Sequence, residues 1–268
     1  MKYSTFITIL LLLPTVLSGA FLQLSPSAKL AGVSDISAFE ESPSSIFYNP
    51  AVFKRQLSIS SSYFVPFSLS NLSYKNILAG YGYKNINIAT GLQELGNEIY
   101  KEQTFIMAVN YKITQNFTIG CNYRFLRNEV YTMDNNNTSQ FDVGILANVN
   151  KYKLFTSFSN INFNKIGNDE LPQESRTGII YQIYNNLKSG ICFVKELGHD
   201  FSFNFGVSYY PFIAFGILSG FHIEQNNNYF SAGLEFKNFY NIQINYGIKT
   251  HEYLNVTHHF TICYQRSK

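Results

Sequence analysis

Five histidines, seventeen carboxylates and three cysteines are the side chains of this 268-residue sequence that could carry acid–base, nucleophilic or metal chemistry. Hydrolytic catalysis needs a nucleophile or water activated by a histidine that a carboxylate or amide orients. His199, His222, His251, His258 and His259 accompany no Gly-x-Ser-x-Gly turn and no His-Glu-x-x-His helix. His258 and His259 resemble a metal pair, yet neighbours on a strand point to opposite faces and cannot chelate together. Cys121, Cys192 and Cys263 lie far apart in apolar runs, with no second Cys and no His at ligand spacing. They read as small packing residues left unpaired. No enzyme activity, catalytic residue, metal or cofactor is therefore expected. The Asn-x-Ser/Thr sites at Asn71, Asn116, Asn136 and Asn255 would accept glycans only in a eukaryotic secretory route, and their frequency follows from a chain rich in Asn, Ser and Thr.

Without a catalytic constellation, the pattern of elements carries the information. The chain is 46% hydrophobic but only 14% charged, and its aromatic residues are 25 Phe and 20 Tyr with no Trp, a bulk between soluble and membrane norms. Its net charge of +3 is small and its Lys and Arg residues form no basic run, which gives no reason to expect a nucleic-acid partner. Lys2, the apolar run Phe6 to Val16 and the small residues Ser18, Gly19 and Ala20 read as a signal peptide over residues 1–20, cleaved near Ser18 to Ala20. An apolar run of about 11 residues falls well short of the ~20 that a helical anchor needs. No Cys near the cleavage region offers a lipoprotein signal.

From about Leu57 onward the period is two. Phe201, Phe203, Phe205, Val207 and Tyr209 alternate with Ser202, Asn204, Gly206 and Ser208. Phe141, Val143, Ile145, Ala147 and Val149 repeat the pattern, as do Ile242, Ile244, Tyr246 and Ile248, and Phe117, Ile119, Cys121, Tyr123 and Phe125. About fourteen strands are expected, starting near residues 57, 73, 86, 104, 117, 139, 153, 175, 187, 201, 213, 229, 241 and 256, an even number as single-chain bacterial barrels require. Every second connection is minimal: Lys84-Asn85, Gln115-Asn116, Asn185-Asn186, Pro211-Phe212 and 238–240. The others are mostly longer, such as 128–138 and 160–174. Short turns on one rim and long loops on the other are a transmembrane-barrel trait, with the short side periplasmic, and both termini are placed there.

A β-sandwich would alternate in the same way, with the apolar face inside. The number of strands without a domain break favours a barrel, as do Tyr63-Phe64, Tyr81, Tyr83, Tyr209-Tyr210 and Tyr229-Phe230 at strand ends, which suit two aromatic girdles. Closure also removes exposed edges. The fold class expected is all-β, an antiparallel transmembrane β-barrel of about 14 strands with a short N-terminal plug segment in the lumen: residues 21–55 as plug and 56–268 as barrel. The inward face would be chiefly Ser, Thr, Asn, Gln and Gly, with no charge ring of the kind an ion-selective pore uses. The last run, Val256 to Tyr264, resembles the terminal strand read by bacterial barrel-assembly machinery, although Gln265-Arg266-Ser267-Lys268 follows its final aromatic.

The segment before the barrel holds Phe21-Leu22-Gln23, then Gly32-Val33-Ser34-Asp35, then Glu40-Glu41 and Phe47-Tyr48-Asn49-Pro50-Ala51. This order resembles the N-terminal signature of the PorV/PorQ family of outer-membrane proteins, relatives of the FadL-type barrels. Gly32 to Asp35 replaces that family's glycine cluster, and Glu40-Glu41 its acidic Asp pair. The resemblance implies short helical or turn elements packed against the barrel wall, with Phe47, Tyr48, Asn49, Pro50 and Ala51 as a structural plug-to-barrel corner. Asn49-Pro50 independently favours an extended residue followed by a turn. Glu40 and Glu41 are expected to be solvated or paired with a lumenal Lys or Arg. The resemblance also implies a bacterial outer-membrane location and a secretion-associated, type IX-like role, binding exported cargo or secretion-machine subunits. The alternative is a FadL-like channel for a hydrophobic small molecule, with outer-membrane lipid as the surrounding partner in either case.

Overall fold

A computed structural model describes residues 20–54, 57–69, 71–131, 135–225, 227–238 and 240–266. The signal-peptide run falls almost wholly on 1–19, outside the described residues. The barrel strands begin with β1 (Leu57–Phe64), β2 (Ser73–Tyr83), β3 (Ile86–Gly96) and β4 (Tyr100–Lys112). They continue with β5 (Phe117–Val130), β6 (Asn136–Val149) and β7 (Tyr152–Phe158). A small hairpin, β8 (Lys165–Ile166) and β9 (Asp169–Glu170), interrupts the series. Then come β10 (Glu174–Tyr184), β11 (Leu187–Glu196), β12 (Phe201–Phe212) and β13 (Phe215–Ile223). The last three are β14 (Tyr229–Lys237), β15 (Ile242–Lys249) and β16 (Thr257–Arg266).

Fourteen of these form one closed antiparallel barrel in sequence order, and β8 pairs only with β9. Closure is made by β1, where Ser60 faces Leu78 of β2 on one side and Cys263 of β16 on the other. Every expected strand start lies within four residues of the observed one. Turns on one rim are tight, as at Lys84-Asn85, Asn150-Lys151 and Asn185-Asn186, whereas loops at 65–72, 159–173 and 250–256 occupy the other. One turn is displaced from its expected place: Pro211 and Phe212 end β12, and the chain reverses at Ile213-Ala214. The ladder shifts register between Tyr209 and Phe212, and that irregularity accommodates a proline with no N–H to donate.

The alternation is inverted relative to a water-soluble sheet. Phe205 is 47% exposed on the outside, while its neighbour Asn204 is 2% exposed inside. Phe203, Ile217, Phe221, Ile244, Phe260 and Ile262 share the outer surface. Each large apolar side chain left in water forgoes about 1.5–3 kcal/mol of burial, so such a continuous outer face calls for lipid. No helix among the described residues is long and apolar enough to cross a membrane, and any crossing rests on the strands.

The period of two also corrects the aromatic girdle, because only one residue of each adjacent pair can face outward. Tyr63, Tyr209 and Phe230 do so, while Phe64, Tyr210 and Tyr229 turn inward. Phe64 stacks between Tyr74 and His259, with ring centroids 4.2 and 4.1 Å away. His258 points outward, with its Nδ1 2.6 Å from the Tyr246 hydroxyl, and His259 points inward. Cys192 and Cys263 are buried, Cys121 is exposed, and all three are free.

Candidate functional site: the lumen and its N-terminal segment

Residues 20–54 form no strand, and nearly all are buried. Ser27 caps the short helix α1 (Ala28–Gly32), its Oγ accepting from the Leu30 N–H at 3.1 Å. The same hydroxyl donates to Glu40, which also accepts from Ser42 Oγ at 2.6 Å. Glu40 is thus buried and held by two serines within the segment, where solvation or pairing with a lumenal Lys or Arg was expected, whereas Glu41 does pair with Lys153, at 2.6 Å. The Ala28 N–H donates to Thr261 of β16 at 2.8 Å. Lys29 pairs at 2.7 Å with Glu235, which also receives Lys237 at 2.7 Å.

Helix α1 ends in a turn where Ser34 (φ 54°) and Asp35 (φ 60°) are both left-handed, at the place where the resemblance leads one to expect glycine. Asp tolerates this region through local hydrogen bonding, but the pair still stores about 1–3 kcal/mol per residue, to be held by the surroundings. The hold is visible. Asp35 Oδ2 accepts from Lys249 at 2.7 Å, and its backbone carbonyl accepts from Arg176 Nη1 at 3.3 Å. Arg176 is itself bidentate on Glu174 at 2.7 and 2.8 Å and lies 4.2 Å from the Tyr48 ring.

The five motif residues converge on strands β4 to β7. Four carbonyls between residues 46 and 50 are received by the wall: Ile46 by Asn122 (2.8 Å), Phe47 by Arg124, Tyr48 by Ser157 (2.7 Å) and Pro50 by Asn110 (3.0 Å). Asn49 donates to the wall carbonyls of Ile145 (3.3 Å) and Thr156 (3.1 Å) and accepts from the Ala51 N–H at 2.9 Å. Close approach needs bare backbone in the wall, since a Cβ at Gly120 would lie 2.6 Å from the Pro50 carbonyl carbon. Around this polar corner, Ile46, Phe47 and Phe53 pack on Leu78, Ala89, Ile106 and Ala108. Ile36, Ala38, Ala51 and Val52 pack on Leu146, Phe155, Ile180, Cys192 and Val194.

The inward face is therefore less uniform than the expected Ser, Thr, Asn, Gln and Gly lining. It carries apolar patches that receive the segment, and charged residues in pairs of opposite sign: Arg124–Asp142 (2.6 Å), Arg176–Glu174 and Lys29–Glu235. The termini also depart from expectation. The chain enters β1 and leaves β16 at the short-turn rim, but Ala20 and Phe21 pack with Leu126, Ile166 and Leu171 beside the long loops, because the segment runs the length of the lumen.

Two of the cavities that flank the segment differ in character. One, of about 290 Å³ at the long-loop rim, is lined by apolar Leu22, Leu24, Phe64, Phe67 and Val194 together with polar Asp35. Arg176, Lys249, Glu174, Glu196, Glu224 and Asp200 also reach it. Both cations are already engaged, since Lys249 donates to Asp35 and to Ser25 Oγ (3.1 Å). The other cavity, of about 1000 Å³ at the short-turn rim, is bounded by Lys29, Lys153, Lys188, Lys237 and Tyr210. No cluster of metal-ligating side chains occurs among the described residues. Sequence reasoning missed Asp35, Glu174, Arg176 and Lys249 as partners. The usable signal was Arg176 and Lys249 each standing where the alternation of its strand places polar residues.

No known family description matches the chain, and no curated protein matches it in sequence. Solved structures do match in fold. The CymD monoaromatic hydrocarbon channel aligns over 93% of this chain and 100% of its own, at 8% identity and a TM-score of 0.71. A FadL homologue from Pseudomonas aeruginosa aligns over 92% of this chain and 100% of its own, at 8% identity and a TM-score of 0.68. The toluene transporter TodX from P. putida aligns over 90% of this chain and 99% of its own, also at 8% and 0.68. At such identity the likeness establishes a shared fold, that of FadL-type outer-membrane barrels, and nothing in these comparisons points to the PorV/PorQ family.

Proposed function

We propose that the protein is an outer-membrane barrel that admits small hydrophobic molecules, with residues 21–55 as a plug in its lumen. The observation that carries this reading is the cavity at the long-loop rim, lined in part by Leu22, Leu24, Phe64, Phe67 and Val194 and bounded by the N-terminal segment, with a further cavity at the opposite rim. Its volume sits at the small end for ligand sites, which suits a compact molecule. Its two cations are already engaged, and five carboxylates reach it, so a neutral solute is favoured over a carboxylate. The shared fold with hydrocarbon channels supports the same reading by analogy. The fold neighbours are named as channels and transporters, which supports a non-enzyme by the same analogy.

Mass spectrometry of whatever co-purifies from native outer membranes in mild detergent tests the assignment. Recovery of a small hydrophobic molecule without protein partners is the expected result. Recovery of secreted proteins or secretion-machine subunits would replace it with the secretion role that the PorV/PorQ resemblance implied.

A further inference from the structure

Glu102 of β4 is 7% exposed, faces the lumen, and forms no ion pair with any described Lys, Arg or His. A buried carboxylate without a cation is costly, and its usual remedy is a charged partner. Two groups bond it: Tyr100 donates its hydroxyl at 2.5 Å, and the backbone nitrogen of Phe21 donates to Oε1 at 2.9 Å. Directly across the ladder from Glu102 stands Asn128, also buried, whose Oδ1 has no hydrogen-bond partner. An amide nitrogen has one hydrogen to give, and Glu102 takes it, leaving the Asn128 oxygen across the ladder unbonded. Phe21 also has φ 63°, a left-handed conformation unfavourable for a bulky side chain with a carbonyl on its nitrogen side.

All three features are explained by one change at Phe21 N. We propose that the chain is cut between Ala20 and Phe21, and that the new α-ammonium of Phe21 docks between Glu102 and Asn128 as the missing cation. Water adds across the Ala20–Phe21 amide under a signal peptidase, leaving a carboxylate on Ala20 and a protonated amine on Phe21. Ser18 and Ala20 stand three residues and one residue before that bond, the small-x-small spacing such peptidases read. The ammonium then offers three hydrogens, and the left-handed strain disappears because no carbonyl remains on the nitrogen. This inference is independent of the solute-channel reading. It makes processing a structural step, since the cut pins the upstream end of the segment to the wall.

The test uses the full chain expressed with export to a bacterial outer membrane. Intact mass and N-terminal sequencing should give a chain beginning at Phe21; a start at any other residue overturns the proposal. An amine-reactive acylating reagent at neutral pH should label the Phe21 amine of the folded barrel at least tenfold more slowly than that of the heat-unfolded protein. Glu102→Gln and Tyr100→Phe should each restore most of that rate in barrels that still run as folded species on an unheated gel. Equal labelling of folded and unfolded wild-type protein would overturn the docking, with no variant needed.

Discussion

Asn49 lies so close to Gly144 that a β-carbon at position 144 would come 2.1 Å from Asn49 Oδ1. Past that bare backbone the Asn49 amide reaches the carbonyls of Ile145 and Thr156, so the segment bonds to the main chain of the wall itself. Gly144→Val should therefore dislodge the corner while the barrel, paired through its backbone, still closes. Single-channel recordings should show larger or noisier currents than wild type. Wild-type currents from a folded Gly144→Val barrel would mean that the corner does not hold the segment.

Removal of residues 21–50 tests occlusion directly. A lumen of fourteen strands is wide enough to conduct when empty. Bilayer conductance should rise well above the wild-type value. A correctly folded deletion protein with unchanged current would show that the segment is not a plug.

Arg124 joins wall to segment, pairing with Asp142 at 2.6 Å while its guanidinium donates to the Phe47 carbonyl. Loss of one partner from a buried pair typically costs about 3–5 kcal/mol, because the remaining charge stays desolvated. Arg124→Met should destabilise the barrel on that scale in urea unfolding. Adding Asp142→Asn should recover part of it. A single variant as stable as wild type would remove this pair from the account of the lumen.

The outer face can be probed at one strand. Phe205→Lys places a charge on the outer apolar face, where a midplane Lys costs about 2–4 kcal/mol, whereas Ser208→Lys turns inward from the same strand. Membrane-inserted, heat-modifiable protein should fall more for Phe205→Lys. Equal yields would argue against lipid on that surface.

Charge selectivity of the long-loop cavity follows from its committed cations. Calorimetric titration in detergent should show toluene binding at least tenfold more tightly than benzoate, which differs by one carboxylate. Tighter binding of benzoate would mean that Arg176 or Lys249 is free to exchange partners, contrary to their hydrogen bonds.

The strand ladder was legible in the sequence because its signal is local. A period of two, broken by turn residues, reports where each strand starts, and alternation fixes which residues share a face. That is why His258 and His259 part company, and why Phe201 to Tyr209 form one greasy stripe. Alternation does not say which face meets solvent, and a sandwich carries the same pattern. The exposed Phe205 and buried Asn204 decide that, since only closure of β1 onto β16 puts the polar side indoors.

The lumen was far less legible. Phe47 to Ala51 stood out as a motif, but its partners Asn110, Arg124 and Ser157 lie about 60 to 110 residues away, and no local rule links them. Likewise Asp35 and Lys249 are 214 positions apart, and each alone reads as an ordinary surface charge. The sequence by itself determined about how many strands there are, where they start and which residues share a face. The tertiary structure alone decided which charges are neutralised and where the N-terminal segment lies, because a closed barrel brings residues from opposite ends of the chain into one dry interior where an unpaired polar group is costly.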